Sequence, residues 1–187
     1  VLRGTIPGAT DSTEIVLSPA GKYSQKIAQG FIVNGKFELQ GKVDQPTYCR
    51  LSMNDQDILD RSDSQQHSRY MEIDFFVENG ELTFQTPHID SLPESFWRYD
   101  VRKEKNYTLT GSPTQEVFYR YQQQTIPSRH SIRQLEQHLL KDATPEDYKT
   151  LTKTKSELEA QTKEFIRQNH NLPVNLHLVN QLKKEPF

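Results

Sequence analysis

The sequence predicts an α+β protein: an N-terminal antiparallel β-sandwich or open barrel over residues 1–111, followed by a C-terminal helical region over residues 112–187. Three observations predict it. All eight glycines fall before residue 112, and glycine marks turns and bulges but is penalised inside helices. Apolar residues in the first part recur with a period of two. Beyond residue 112 the spacing changes to three, four and seven, behind recognisable helix starts.

The β part is expected to begin with strands near Leu2-Ile6 and Ile15-Leu17. Asn34-Gly35 then joins Phe31-Ile32-Val33 to Lys36-Phe37-Glu38-Leu39, and Asn79-Gly80 joins the run from Tyr70 to Val77 to Glu81-Leu82-Thr83-Phe84. Asn-Gly between apolar runs suits a two-residue type I′ hairpin, because both central residues need positive φ. Met71, Ile73, Phe75 and Val77 share one strand face, and Tyr70, Glu72 and Asp74 share the other, so one side is core and one is wet. The same period links Phe37, Leu39, Gly41 and Val43, then Cys49, Leu51 and Met53, and later Tyr107 and Leu109. About seven or eight short strands result. The polar stretch 54–68 is expected to form a loop.

The helical part starts at Ser112-Pro113-Thr114-Gln115: Ser112 caps the free amides, Pro113 suits the first position, and Gln115 stands where a capping box wants Glu or Gln. Val117, Phe118 and Tyr121 give an apolar stripe. Pro127 is expected to interrupt it, leaving a second helix with Ile132, Leu135 and Leu139. Thr144-Pro145-Glu146-Asp147 repeats the start signal ahead of a helix over 145–169, whose narrow stripe is Tyr148, Leu151, Leu158 and Phe165. A short helix near Val174-Leu182 carries Leu176, Val179 and Leu182.

Composition limits what such a fold can do. The 187 residues carry 23 Lys+Arg and 25 Asp+Glu, a formal charge of -2, which is the wrong balance for gripping a phosphate backbone. No nucleic-acid partner is expected. Hydrophobic residues make up only 33% and mean hydropathy is -0.82, yet 9 Phe, 8 Tyr and 1 Trp supply large buried area. No apolar run approaches the roughly 20 residues of a membrane span. The chain opens at Val1 without a basic and apolar leader segment, which leaves open a removed leader or a domain cut at its limits. Charge also divides: residues 1–112 hold 12 basic and 16 acidic side chains, and 113–187 hold 11 and 9.

Candidate chemistry is sparse. Cys49 is the only cysteine, so an internal disulfide, a C-x-x-C pair and a Cys-rich zinc site are excluded within this sequence. Its alternation with Leu51 and Met53 makes it a buried, inert thiol. The six histidines 67, 88, 130, 138, 170 and 177 lack the i, i+4 spacing of H-E-x-x-H, and no metal is expected. Asp55, Asp57, Asp60 and Asp63 lack the Gly and Glu of a calcium loop. With no G-x-S-x-G, no G-x-G-x-x-G and no Walker pattern, no catalytic residue or cofactor is assigned. Phe96, Trp97 and Tyr99 form the densest aromatic cluster, and Trp97 with Tyr99 is a weak candidate ligand platform. Leu158, Phe165, Leu176 and Leu182 are candidate docking residues, because a long polar helix with so narrow an apolar stripe needs a partner.

The segments LRGTIPGATDSTEIVLSP, VNGKFELQGKVDQPTYCRLSM, FFVENGELTF and YTLTGSPTQEVFYRYQQQ, in this order, carry the pattern G-x-I-x-G, G-K-F-x-x-x-G-K-V, E-N-G and T-G-S. This ordered set resembles the N-terminal domain of unknown function that precedes the thioredoxin-like domain of exported bacterial thiol:disulfide interchange proteins, of the alkyl hydroperoxide reductase/thiol-specific antioxidant and TlpA/ResA kind. The tail FIRQNHNLPVNLHLVNQL looks like their helical connector. The resemblance implies a non-catalytic accessory module that docks, dimerises or positions substrate, with the redox W-C-x-x-C on the following domain and not on any residue here. It implies the periplasm or outer cell envelope, with membrane contact only through a lipid anchor outside this chain. The expected partner is a downstream thioredoxin-like domain or a second copy of the chain. The alternative is a free-standing envelope module that binds a glycan or peptide through the aromatic cluster.

Overall fold

Eight strands precede three helices in the computed structural model, which describes residues 1–22, 24–55, 69–92 and 106–184. The strands are β1 (Leu2–Thr5), β2 (Glu14–Pro19), β3 (Ala28–Phe31), β4 (Lys36–Leu39), β5 (Thr47–Asp55), β6 (Arg69–Val77), β7 (Leu82–Gln85) and β8 (Thr108–Thr110). They form two four-stranded sheets, β4-β1-β7-β8 and β3-β2-β5-β6. Pairing is antiparallel except between β1 and β7, which run parallel with Leu2 opposite Leu82. The helices are α1 (Pro113–Leu139), α2 (Pro145–Gln168) and α3 (Pro173–Lys184). The predicted α+β class, sheets first and helices after, is the observed one. The chain divides into two compact units, Val1–Gln115 and Glu116–Phe187.

In the β unit the period-two residues meet between the sheets. Ile15, Leu17, Cys49, Leu51, Met53, Met71, Ile73 and Phe75 come from one sheet, and Leu2, Phe37, Leu39, Leu82 and Phe84 from the other; all are buried. Phe84 is central, its ring centroid 6.2 Å from Phe37, 6.3 Å from Phe75 and 5.3 Å from Tyr107. Large side chains on alternating positions therefore fill the gap that two stacked sheets leave, as the pattern predicts.

At both Asn-Gly turns the flanking strands part company, although Asn34-Gly35 itself closes as expected. Asn34 and Gly35 do have φ of 51° and 68°, the left-handed geometry that glycine tolerates at no steric cost. Beyond a single bridge between Val33 and Lys36, however, β3 and β4 enter different sheets. The turn is held from outside, because Asp11 Oδ1 accepts the Asn34 amide at 2.6 Å and Gly35 O accepts the Ile6 amide at 2.6 Å. Asn79-Gly80 likewise passes the chain from β6 to β7 in the other sheet. There the Asn79 amide group grips both backbone groups of Val43, at 3.1 and 2.7 Å. Asn34-Gly35 is thus the expected two-residue turn, closed by reciprocal bonds between Val33 and Lys36 at 2.8 and 3.0 Å, whose flanking strands then part into separate sheets, and Asn79-Gly80 is a corner between layers. Asn54 and Asp55, expected in the polar loop, extend β5; residues 56–68 lie outside the described residues.

In the helical unit Pro127 does not break α1, which runs through it. Pro127 lies on the exposed side, and so does Gln123, whose carbonyl loses its intrahelical donor where no burial penalty is added to the lost bond. Helix α2 opens with the full capping box, Thr144 and Asp147 bonding reciprocally. Its stripe is shorter than expected: Leu158, Thr162 and Phe165 are buried, Leu151 is half-buried, and Tyr148 is 57% exposed. In α3 the buried face is Val174 and Leu178, while Leu176 is exposed and Val179 and Leu182 are half-buried. Apolar residues at nearly every second position of that segment make two helical faces compatible with the sequence.

Candidate functional site

Among the described residues, aromatic and polar side chains of three helices converge at the seam of the helical unit. Tyr121, only 1% exposed, faces Phe165 of α2 at 5.1 Å and stacks on Phe118 at 6.0 Å. The edge of His177, from α3, meets Phe118 at 5.4 Å. The Tyr121 hydroxyl lies 2.9 Å from Thr162 Oγ1 and accepts a 2.9 Å bond from Arg129 Nη2. Thr162 gives its own proton to Leu158 O at 2.8 Å. The direction is thereby fixed: Arg129 donates to Tyr121, Tyr121 to Thr162, and Thr162 to the backbone. Every member of this network is satisfied, so it specifies how α1 and α2 meet without presenting a reactive group. Thr162 follows Leu158 by four residues, a helical spacing that reading for apolar residues alone passes over.

The candidate docking residues separate accordingly. Leu158 and Phe165 are 2% and 7% exposed, Phe165 facing Tyr121 of α1, and both are buried within this chain. Leu176 is 61% exposed and Leu182 is half-buried. The structure adds an exposed ridge that the sequence reading did not single out. Tyr119 and Ile126 on α1, and Leu140 just past its end, are all exposed, and the seven-residue step from Tyr119 to Ile126 keeps those two on one side of the helix. The signal was a second heptad offset by one residue from Phe118. Trp97 and Tyr99, the candidate ligand platform, lie outside the described residues.

Elsewhere the titratable groups are structural. Cys49 is fully buried, and burial, with the Asp74 charge adding to it, pushes its thiol up to about 12; it is a thiol and not a thiolate at neutral pH. Arg50 on β5 forks onto Asp74 of β6 at 2.6 and 2.9 Å and reaches Glu72 at 2.7 Å. That cross-strand geometry follows from the register, which sets Arg50 opposite Asp74. The Thr144 hydroxyl and amide hold the Asp147 carboxyl below the ordinary carboxylate range. His138 Nε2 stands 3.5 Å from that carboxyl, and His88 Nδ1 caps a short 3-10 helix, Ile89–Ser91, by accepting the Asp90 amide at 3.2 Å. Among the described residues no three His, Cys, Asp or Glu side chains gather as a metal would require. A cavity at one end of the sandwich, lined by Leu17, Ile27, Leu39, Val43, Val77 and Leu82, holds about 20 Å³, room for a single water. No described helix is long and apolar enough to cross a membrane.

The fold defines a two-sheet β module with a helical extension. Residues 1–118 match the family model described as Domain of unknown function (DUF4369), and the chain belongs to that family. No curated protein and no solved structure matches it.

Proposed function

We propose that this chain is a non-catalytic accessory module of a thioredoxin-like thiol:disulfide oxidoreductase of the cell envelope, serving docking, dimerisation or substrate positioning. The observation that carries the reading is the ordered motif set from G-x-I-x-G to T-G-S, which lies wholly inside the 1–118 family match. The resemblance of that set to the leading domain of exported thiol:disulfide interchange proteins supplies the partner and the periplasmic or outer-envelope location, with any lipid anchor outside this chain. The sequestered thiol of Cys49 fits an accessory role, because exchange needs an accessible thiolate and a resolving cysteine. The exposed apolar residues Leu176, Tyr119 and Ile126 are the candidate contact points for the thioredoxin-like domain or a second copy.

The test has two arms. With dithiothreitol, this chain should reduce insulin at the background rate; a faster rate lost in Cys49→Ser overturns the non-catalytic reading. In the full-length gene product, Leu176→Asp should raise amide exchange in a downstream W-C-x-x-C domain or lower the oligomeric state, since an exposed leucine can be charged at little folding cost. A gene product without a W-C-x-x-C domain that binds an envelope glycan or peptide instead would replace this reading with the free-standing binding module.

A further inference from the structure

Strand β6 is the last strand of its sheet among the described strands, and an edge strand presents amides that no ladder satisfies. One of these, Phe76 N–H, donates at 2.8 Å to Gln115 Oε1 in a buried bond. Gln115 belongs to the first turn of α1 and stands where a capping box would turn its side chain back on Ser112. Half of that box is made, the Gln115 amide donating to Ser112 Oγ at 3.1 Å. The other half is traded. Two residues beyond Phe76, Glu78 Oε1 accepts the Ser112 hydroxyl at 2.7 Å and the Thr114 amide at 2.9 Å. The strand lends a carboxylate to the start of the helix, where its free amides favour negative charge, and the helix lends an amide oxygen to the strand. Ser112, Thr114 and Gln115 are all buried. Gly111 fixes the approach: its φ is 92°, and a Cβ there would stand 2.1 Å from Glu81 O, so only glycine fits. The family match independently extends to Phe118, past this turn, where the last strand alone would end it at Thr110.

We infer that residues 111–115 form a latch on the β6 edge, closed by the exchange of acceptors between Glu78 and Gln115, and that its two halves open together while the sandwich stays folded. Opening takes the Gln115 acceptor from the Phe76 amide, on the edge of β6 that no described strand pairs, the kind of edge at which an added strand pairs. The latch therefore belongs to the β unit and protects its edge, as covered edges do elsewhere.

Hydrogen exchange on the full chain tests this. Gln115→Leu, which keeps the bulk and removes the acceptor, should speed exchange of the Phe76 amide by about ten-fold or more, with the amides of Leu17 and Leu51 unchanged. Gln115→Glu, which keeps an acceptor, should retain the protection. Glu78→Ala touches neither atom of the Phe76 bond, yet it should speed Phe76 exchange as well, because the halves are coupled. Unchanged Phe76 exchange in Gln115→Leu, or in Glu78→Ala, would overturn the latch, and so would acceleration spread equally across β2 and β5.

Discussion

The β unit and the helical unit solve burial differently. In the first, Ile15, Cys49, Leu51, Met71, Phe75 and Phe84 are shut from water by contributions of two whole sheets. In the second, the Tyr121 ring meets Phe118 and Phe165 at the seam, and Leu158, Val174 and Leu178 are the other buried aliphatic residues of α2 and α3. The first half of α2 is mostly solvated, and its Thr152, Thr154 and Ser156 hydroxyls bond back to carbonyls four residues earlier, a habit that weakens rather than strengthens a helix. Stability is thus distributed in the sandwich and concentrated in the helices.

Three perturbations break or sharpen that contrast. Cys49→Asp should have the largest effect, because an unpaired carboxylate would stand in the fully buried centre of the sheet; a loss above about 4 kcal/mol is expected, with the β unit unfolding in denaturant titrations. The wild-type thiol predicts a pH dependence of its own. Its folded value is raised above the ordinary 9.0 to about 12, so its contribution is intact below pH 9 and is lost as pH rises toward 12. Thermal melts should lose stability across that window, and Cys49→Ala should abolish this component. Phe165→Ala comes next, at about 3–5 kcal/mol. It removes the ring that faces Tyr121, and amide exchange should quicken throughout α1 and α2 but not in β2 or β5; equal quickening in both units would erase the contrast. Thr144→Ala is the smallest, about 1 kcal/mol, confined to the first turn of α2 and read as faster exchange of the Asp147 amide.

Much of this contrast was legible beforehand because periodicity is a property of side chains along one element. Cys49, Leu51 and Met53 alternate in the sequence and lie together in the core. What periodicity does not encode is where the next element goes. Asn34-Gly35 specifies a reversal, but the partner of β4 is β1, chosen by Leu39 and Phe37 packing beside Leu2 and Gly4 rather than by the turn. Pro127 reads as a stop because its local cost is large, yet Tyr121 and Ile132, on either side of it, are anchored in the same buried seam and outweigh it. Leu158 and Phe165 were legible as a stripe seeking a partner. That the partner is α1 depends on Tyr121 reaching across to them, a distance no spacing within α2 contains.

The parallel pairing of β1 with β7 also sets an order of events. Leu2 pairs with Leu39 on one side and with Leu82, 80 residues away, on the other. Closing so long a segment adds loop entropy that local pairs such as β5 with β6 escape, and high contact order slows folding to milliseconds or longer. During translation at about 5–20 residues per second, β1 waits about 4–16 s for its second neighbour. Until β7 arrives Leu2, buried in the finished sheet, has at most its β4 flank covered. Among the described strands β1 is therefore the one left half-paired longest, and β8, which joins β7 only from Thr108, completes the sheet after it.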